Sequence, residues 1–334
     1  MAINIGVNGF GRIGRYLVRL LASSPDLNVK VVNARADNGT LAHLLKYDSV
    51  HGTFADDVSH NDEGMLVNGE LIKVTRFPKG EWQWAENDID IVIETTGTIK
   101  DRDGLALHNK CGAKKTVISA PGKGVDATIV MGVNDAIYDP AAHNIVSNAS
   151  CTTNCLAPVA KVINDSFGIK HGLMTTIHSV TMSQRILDGS HKDLRRARAA
   201  SVSMIPTTTG AAIATAEVIP ELKGRLDGMS IRVPTPNVSL VDLTCELERG
   251  TSVEEVNKAL RQASETTLKN VLGYTEVPLV SVDYNGNSCG GVVDGLCTTV
   301  MDKTLLKVIV WYDNEAGFTH QLVRLLQMMG KSMK

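Results

Sequence analysis

Apolar and polar residues alternate over residues 3–8, the pattern of a strand with one buried face. A glycine turn follows, and residues 15–21 carry apolar side chains at helical spacing. Residues 29–32, 89–94 and 116–119 are short apolar or β-branched runs bounded by turn residues, which predicts buried parallel strands. Strand and helix alternate in this way to about residue 148, so this half of the chain reads as an open, doubly wound sheet. The pattern then changes. Residues 173–178, 230–233, 239–246 and 305–312 are β-rich runs separated by polar loops. A helical stretch over 253–267 can be capped by Thr251 or Ser252, with Glu254 and Glu255 in its first turn. Long strands with few crossovers predict a mostly antiparallel, mixed sheet with helices on one face. Residues 317–329 are amphipathic and read as a terminal helix. The expected class is α/β, with a doubly wound domain over 1–149, an α+β domain over 150–314, and a C-terminal helix over about 315–334.

Composition narrows the function. A chain of 334 residues suits about two domains, and 43% hydrophobic residues can fill their cores. A net charge of −2 gives no global attraction to nucleic acid or an anionic membrane, so any anion site must be local. No apolar run approaches the roughly 18 residues of a membrane helix. No signal-peptide pattern precedes the first strand. Six cysteines, at 111, 151, 155, 245, 289 and 297, lack a paired framework and suggest free thiols in a reducing compartment. A cytoplasmic protein is expected, with neither membrane nor nucleic acid as partner.

Gly9-Phe10-Gly11-Arg12-Ile13-Gly14 sits between a strand and a helix. Gly9 permits the tight turn, Gly11 lets the backbone approach a pyrophosphate, and Gly14 allows close helix–strand packing. That context makes the turn a dinucleotide fingerprint of the Rossmann type rather than an ordinary strand–helix turn. An acidic residue is expected about 20 positions on, at the end of the second strand, to bind a ribose 2′-hydroxyl. Instead Ala34 stands there, with Arg35 beside it. An arginine pairs with a 2′-phosphate that a carboxylate would repel, which points to NADP, with NAD still possible. The competing reading leaves Arg35 solvated and gives the carboxylate's task to Asp37.

Ser150-Cys151-Thr152-Thr153-Asn154 reads as a strand-to-helix junction. A cysteine at a helix start is placed to be a thiolate, because the dipole and backbone N–H groups favour negative sulfur. His178, in Thr-Thr-Ile-His, can take up its proton, although spacing alone does not pair the two. Cys155 lies four residues on and reads as a buried structural thiol. A zinc site needs about four ligands, and no second Cys/His pair has matching spacing, so no metal is expected. Arg195-Arg196-Ala197-Arg198, Thr207-Thr208-Thr209-Gly210 and Arg232 supply guanidinium, hydroxyl and N–H groups suited to phosphate. Arg195 and Arg198 equally suit a solvated or subunit-facing segment.

These motifs resemble one family. Residues 8–15, Ser147-Asn148-Ala149-Ser150-Cys151-Thr152-Thr153-Asn154-Cys155, residues 191–200, residues 206–212 and Trp311-Tyr312-Asp313-Asn314-Glu315 are similar to phosphorylating glyceraldehyde-3-phosphate dehydrogenases. The resemblance implies a cytosolic homotetramer whose C-terminal helix packs back onto the cofactor domain. It implies oxidation of glyceraldehyde 3-phosphate with inorganic phosphate as second substrate, in the glycolytic or the reverse direction. Cys151 would be the nucleophile and His178 its base. Arg12 and Ile13 would meet the pyrophosphate, Arg76 and Ser119 would line the cofactor, and Asn314 would hold the nicotinamide carboxamide. Thr181 and Arg232 would bind the substrate's phosphate. Ser150, Thr152, Arg196, Thr209 and Gly210 would surround the attacking phosphate. Gly189-Ser190 replaces a Leu-Pro common in NAD-using members, in a loop that reaches a neighbouring subunit's cofactor, and supports NADP. Val180, Met182, Ser183 and Phe318 also depart from the usual residues. An erythrose-4-phosphate dehydrogenase and a non-catalytic binding relative remain as alternatives.

Overall fold

The computed structural model describes residues 2–333. Its contacts divide the chain into two compact units. The first holds residues up to Ile129, Ala136–Ala149 and the chain from Leu322 onward; the second holds Val130–Asp135 and Ser150–Gln321.

In the first unit the strands are β1 (Ile3–Asn8), β2 (Leu27–Asn33), β3 (Val58–His60), β4 (Gly64–Val67) and β5 (Glu70–Thr75), followed by β6 (Ile91–Glu94), β7 (Lys115–Ile118), β8 (Ala127–Thr128) and β9 (Ile145–Ser147). The helices are α1 (Arg12–Leu21), α2 (Asn38–Lys46) and α3 (Arg102–Lys110). The strands form one sheet in the order β3-β4-β5-β2-β1-β6-β7-β9-β8. Every pairing from β5 to β8 is parallel, and only β3, β4 and β5 pair antiparallel. The order reverses between β1 and β6, so the carboxyl ends of these strands form the crevice where such sheets take ligands. Ile5, Val7, Val92 and Ile93 are fully buried, as strands covered on both faces require. The antiparallel β3–β5 addition was not expected, because β3 and β5 expose half or more of their side chains and carry little apolar pattern.

The second unit contains α4 (Cys151–Phe167), β10 (Ile169–His178), β11 (Ile205–Thr208), α5 (Ala211–Val218), β12 (Leu226–Arg232) and β13 (Ser239–Leu247). It continues with α6 (Val253–Glu265), β14 (Leu272–Thr275), β15 (Gly291–Met301), β16 (Leu305–Tyr312) and the start of α7 (Ala316–Lys331). The sheet order is β11-β12-β10-β13-β16-β15-β14. It is mixed and mostly antiparallel, with parallel pairs at β10–β12 and β14–β15. Side chains of β13 alternate buried and half-buried along its length, so one face is covered. α4, with eleven buried residues, lies over that sheet and against α5 and α6. The parallel pairing sets His178 beside Arg232 at the carboxyl ends of β10 and β12.

Candidate active site

The crevice of the first unit is a cleft of about 670 Å³. Its wall comes from the ends of four strands: Asn8–Gly11, Asn33–Ala36, Arg76–Lys79, and Thr95 with Thr96. Gly9 has φ +99°, and a Cβ there would lie 2.9 Å from the Thr96 nitrogen. A Cβ on Gly14 would lie 2.5 Å from the Gly9 oxygen, so only glycine lets α1 start this close to β1. Gly11 is the N-cap of α1 and offers no side chain, which leaves the helix start open to an anion. The residues present therefore fit a dinucleotide. Gly9, Gly11, Arg35 and Arg76 border the cleft, whereas Arg12, Ile13, Gly14 and Ser119 are not in its wall. Ser119 donates its hydroxyl to the Glu94 carbonyl at 3.1 Å, at the end of β6.

Arg12 is committed elsewhere. Its guanidinium forks onto both oxygens of Asp48, which also accepts the N–H groups of Val50 (2.8 Å) and His51 (2.9 Å). Burial opposes the Asp48 charge, but Arg12 and these N–H groups hold its carboxyl well below the usual range. Any service Arg12 gives to a pyrophosphate falls to its backbone at the helix start. Asp48 itself carried no sequence signal. Another unread group is Glu94, which is buried and accepts from Asn8 Nδ2 (2.6 Å), Thr96 N–H (2.7 Å) and His108 Nε2–H (3.1 Å). Trp84 Nε1–H donates to His108 Nδ1 at 3.1 Å and so fixes that tautomer. This network holds together the ends of β1 and β6 beneath the cleft.

In the second unit, α4 begins at Cys151 because Ser150 caps it: the Ser150 hydroxyl accepts the Thr153 N–H at 3.1 Å. The preceding Ala149 is fully buried with φ 57°, a left-handed conformation that costs about 1–2 kcal/mol for a non-glycine residue. Cys151 Sγ lies 3.5 Å from His178 Nε2. Arg232 donates to His178 Nδ1 at 2.7 Å and to the Ser179 carbonyl at 3.0 Å. Nδ1 also lies 2.8 Å from the Ser179 carbonyl, so it stands between a donor and an acceptor, and its contacts admit a hydrogen on either ring nitrogen. Tyr312 stands edge-on to His178, and its hydroxyl is shared with Thr152 (2.9 Å) and Thr176 (2.8 Å).

The electrostatics differ from the expectation of a resting thiolate. Burial raises the Cys151 thiol, against the pull of Arg232 and of the hydroxyl and N–H of Thr152. Burial first, then the charges of Arg232 and Arg196, push His178 down to about 3. Both shifts favour the neutral thiol and the neutral imidazole. Burial is the largest influence on the sulfur, ahead of the Arg232 charge and the N–H groups at the helix start. Burial raises Cys155 further, in keeping with a structural role.

Arg196 Nε donates to Thr207 Oγ1 at 2.8 Å, and Thr207 donates to Asp193 at 3.0 Å. Thr209 and Gly210 lie at the start of α5, where the Thr209 hydroxyl accepts the Ala211 N–H at 3.2 Å. Thr181 bonds Gln184 and Ser183 in the turn after β10. Ser190 lies in the exposed loop 181–204, its carbonyl held by Arg185. Asn314 is 7% exposed, and its Oδ1 accepts from the hydroxyls of Ser179 (2.8 Å) and Ser239 (2.9 Å). Phe318 is buried in the first turn of α7. Among the described residues, no group of three or more His, Cys, Asp or Glu is arranged to hold a metal ion.

Comparison with known proteins agrees with this arrangement. The family profile "Glyceraldehyde 3-phosphate dehydrogenase, NAD binding domain" matches residues 3–102, and the corresponding C-terminal domain profile matches residues 150–314. The chain belongs to the glyceraldehyde-3-phosphate dehydrogenase family. It is 57% identical over 327 residues to the glyceraldehyde-3-phosphate dehydrogenase of Geobacillus stearothermophilus, covering 97% of each chain. It is 53% identical over 333 residues to glyceraldehyde-3-phosphate dehydrogenase 1 of Bacillus subtilis, covering 99% of each. Glyceraldehyde-3-phosphate dehydrogenase 2 of the same organism is 49% identical over 336 residues, covering 100% of this chain and 98% of its own. Within this glyceraldehyde-3-phosphate dehydrogenase fold, sequence reasoning missed Asp48, Glu94, Ser179, Ser239 and Tyr312. Each has a partner 36 to 160 residues away, beyond any local spacing.

Proposed function

We propose that the protein oxidises D-glyceraldehyde 3-phosphate and couples the oxidation to inorganic phosphate, releasing 1,3-bisphosphoglycerate. The observation that carries this reading is the 3.5 Å approach of Cys151 Sγ to His178 Nε2 at the capped start of α4. The thiol adds to the aldehyde carbon as His178 Nε2 takes its hydrogen, which then passes to the new oxyanion to give a thiohemiacetal. Until then the oxyanion is held by the Cys151 N–H and the His178 Nε2–H. A nicotinamide dinucleotide, when bound, accepts the hydride from that carbon. With its Nδ1 hydrogen on the Ser179 carbonyl, His178 then takes the hydroxyl proton on Nε2, which leaves a thioester on Cys151. Inorganic phosphate attacks the thioester and the thiol departs. Arg232 and Thr181 serve the substrate's phosphate; Ser150, Thr152, Arg196, Thr209 and Gly210 serve the attacking one. The three relatives named above are all glyceraldehyde-3-phosphate dehydrogenases, which supports triose phosphate over erythrose 4-phosphate.

NADP is the proposed preference. Ala34 and Arg35 stand at the end of β2, on the cleft. Asp37 is occupied: its carboxylate caps α2 by accepting the Thr40 N–H (2.9 Å) and hydroxyl (2.7 Å). Arg76 is held nearby by the Ala36 carbonyl and Asn38 Oδ1, both at 2.7 Å. Two arginines thus line the cleft, which supports a 2′-phosphate there, and Asp37 serves its helix.

A cytoplasmic homotetramer is part of the same proposal. Met182, Ile186, Leu187, Leu194, Val202 and Met204 are each at least 74% exposed along one loop, more than a lone subunit leaves uncovered. Among the described residues, no helix is long and apolar enough to cross a membrane. The test is a steady-state assay with glyceraldehyde 3-phosphate and each cofactor, with and without phosphate. Turnover of NADP that depends on phosphate and disappears in Cys151→Ser supports the reading. Full turnover without Cys151, or equal turnover of erythrose 4-phosphate, refutes it.

A further inference from the structure

Tyr312 is the last residue of β16, and its phenol oxygen has two partners from different elements. Thr152 Oγ1, at 2.9 Å, belongs to the first turn of α4. Thr176 Oγ1, at 2.8 Å, belongs to β10. All three residues are buried. Their hydroxyls satisfy one another in the interior, where an unpaired hydroxyl is costly.

The two threonines flank the reacting pair. Thr152 follows Cys151 in the helix, and Thr176 precedes His178 by two residues in the strand, on the same face of the sheet. β13 lies between β10 and β16. The phenol thus spans two strand spacings, about 10 Å, and ties the strand of the imidazole to the helix of the sulfur. Its own ring stands edge-on to His178, with centroids 5.9 Å apart at 82°. Arg232 and the Ser179 carbonyl meet the imidazole at Nδ1, whereas the sulfur meets Nε2. Both of those partners sit at the sheet's strand ends, so they fix the ring and leave the place of α4 to other contacts. One turn along α4, Cys155 reaches β16 by a weak sulfur contact of 3.8 Å to the Val310 carbonyl.

We infer, on the proposed pairing of Cys151 with His178, that Tyr312 is a positioning residue whose hydroxyl sets the distance between sulfur and imidazole. Without that hydroxyl, the first turn of α4 meets β10 through apolar packing, which holds the two more loosely. Proton transfer between Sγ and Nε2, now 3.5 Å apart, is sensitive to a shift of that kind.

The test is alkylation of Cys151 by iodoacetamide at pH 7 in the whole enzyme, followed by mass spectrometry of the peptide that carries it. His178→Asn alone should slow this labelling about tenfold, because the sulfur loses its proton acceptor. Tyr312→Phe removes one oxygen, keeps the ring, and should slow it about tenfold as well. In the His178→Asn background the same substitution should change the rate by less than about twofold, since there is no imidazole left to position. Thr176→Val unties β10 alone and should slow labelling about threefold, again only while His178 is present. This second variant decides the matter where Tyr312→Phe does not fold. Losses that multiply with that of His178→Asn mark a merely structural role and overturn the inference. Labelling at or above the wild-type rate in Tyr312→Phe or in Thr176→Val overturns it as well. No slowing in His178→Asn removes the pairing itself, and the inference with it, so the two failures are told apart.

Discussion

Exchanging Ala34 for Asp and Arg35 for Leu tests the cofactor reading with a change of two unit charges. Ala34 is 9% exposed at the rim of the cleft, anchored by its N–H to the Thr75 carbonyl at 3.0 Å, so an added carboxylate projects from a fixed backbone. A carboxylate near 5 Å from a doubly charged phosphate, in a medium between water and protein, opposes it by about 2–3 kcal/mol. Removing Arg35 forfeits a charged hydrogen bond of about 1.5–3 kcal/mol. The two effects share one ligand group and do not add fully, so the expected loss is roughly 10²–10³-fold in kcat/KM for NADP relative to NAD. The carboxylate also gains the ribose hydroxyls of NAD as donors. The assay measures kcat/KM for both cofactors at low and at 0.5 M salt. Salt should narrow the wild-type preference, because surface charges are screened within about 10 Å at 0.1 M. Relative specificity that does not move between wild type and the double variant would falsify the reading of β2 and its loop.

Three other outcomes follow from the geometry. Cys151→Ser should bind cofactor normally while aldehyde oxidation falls roughly 10³-fold or more, as single-turnover absorbance would show. Asp48→Asn should lower stability at pH 7 by about 2–3 kcal/mol, because the Arg12 charge is left half-buried without its partner. The Asp48 carboxyl titrates lower in the folded state than in the unfolded one, so its contribution is present above about pH 4 and fades as pH falls. Urea melts should therefore find the gap to wild type narrowing below pH 4; a constant gap counts against the ion pair. Arg232→Leu should move the His178 titration upward from about 3. The unfolded chain binds the extra proton between that value and about 6.5, so native stability rises with pH across this window, and the slope should lessen in the variant. An unmoved imidazole resonance in NMR would refute the assignment.

Much of the architecture was legible because its chemistry is local. The glycine turn needs a left-handed Gly9 and a bare Gly14 within six residues, and the sequence 9–14 displays both. Ser150 caps the helix that begins at the next residue, so the position of Cys151 could be read directly. The paired strands Ser239–Leu247 and Leu305–Tyr312 alternate cleanly because one sheet face is covered. What could not be read depends on pairing across the chain. β15 changes register between Asp294 and Thr299, which breaks its period of two. Arg12 finds Asp48, and Asn314 finds serines 135 and 75 residues away, through the fold alone. The thiol's ionisation also depends on distant groups. Dipole and capping are visible at Cys151, but the burial that raises it and the Arg232 charge that opposes this come from the fold.

Arg232 links these observations. It donates toward His178 Nδ1, and it is among the charges that keep the ring neutral. Both effects suit a resting site whose sulfur is protonated and slow to oxidise, since the thiolate is the reactive form. For His178 to receive a proton on Nε2, Nδ1 must become the donor, and the Ser179 carbonyl at 2.8 Å is there to accept it. That exchange requires Arg232 to release Nδ1. A substrate phosphate drawn to Arg232 would do so, and its negative charge would cancel the repulsion that disfavours the imidazolium. The proposed phosphate site and the proposed proton acceptor are thus one electrostatic unit. The guanidinium proposed to recognise the substrate is the same group that bonds Nδ1 of the histidine.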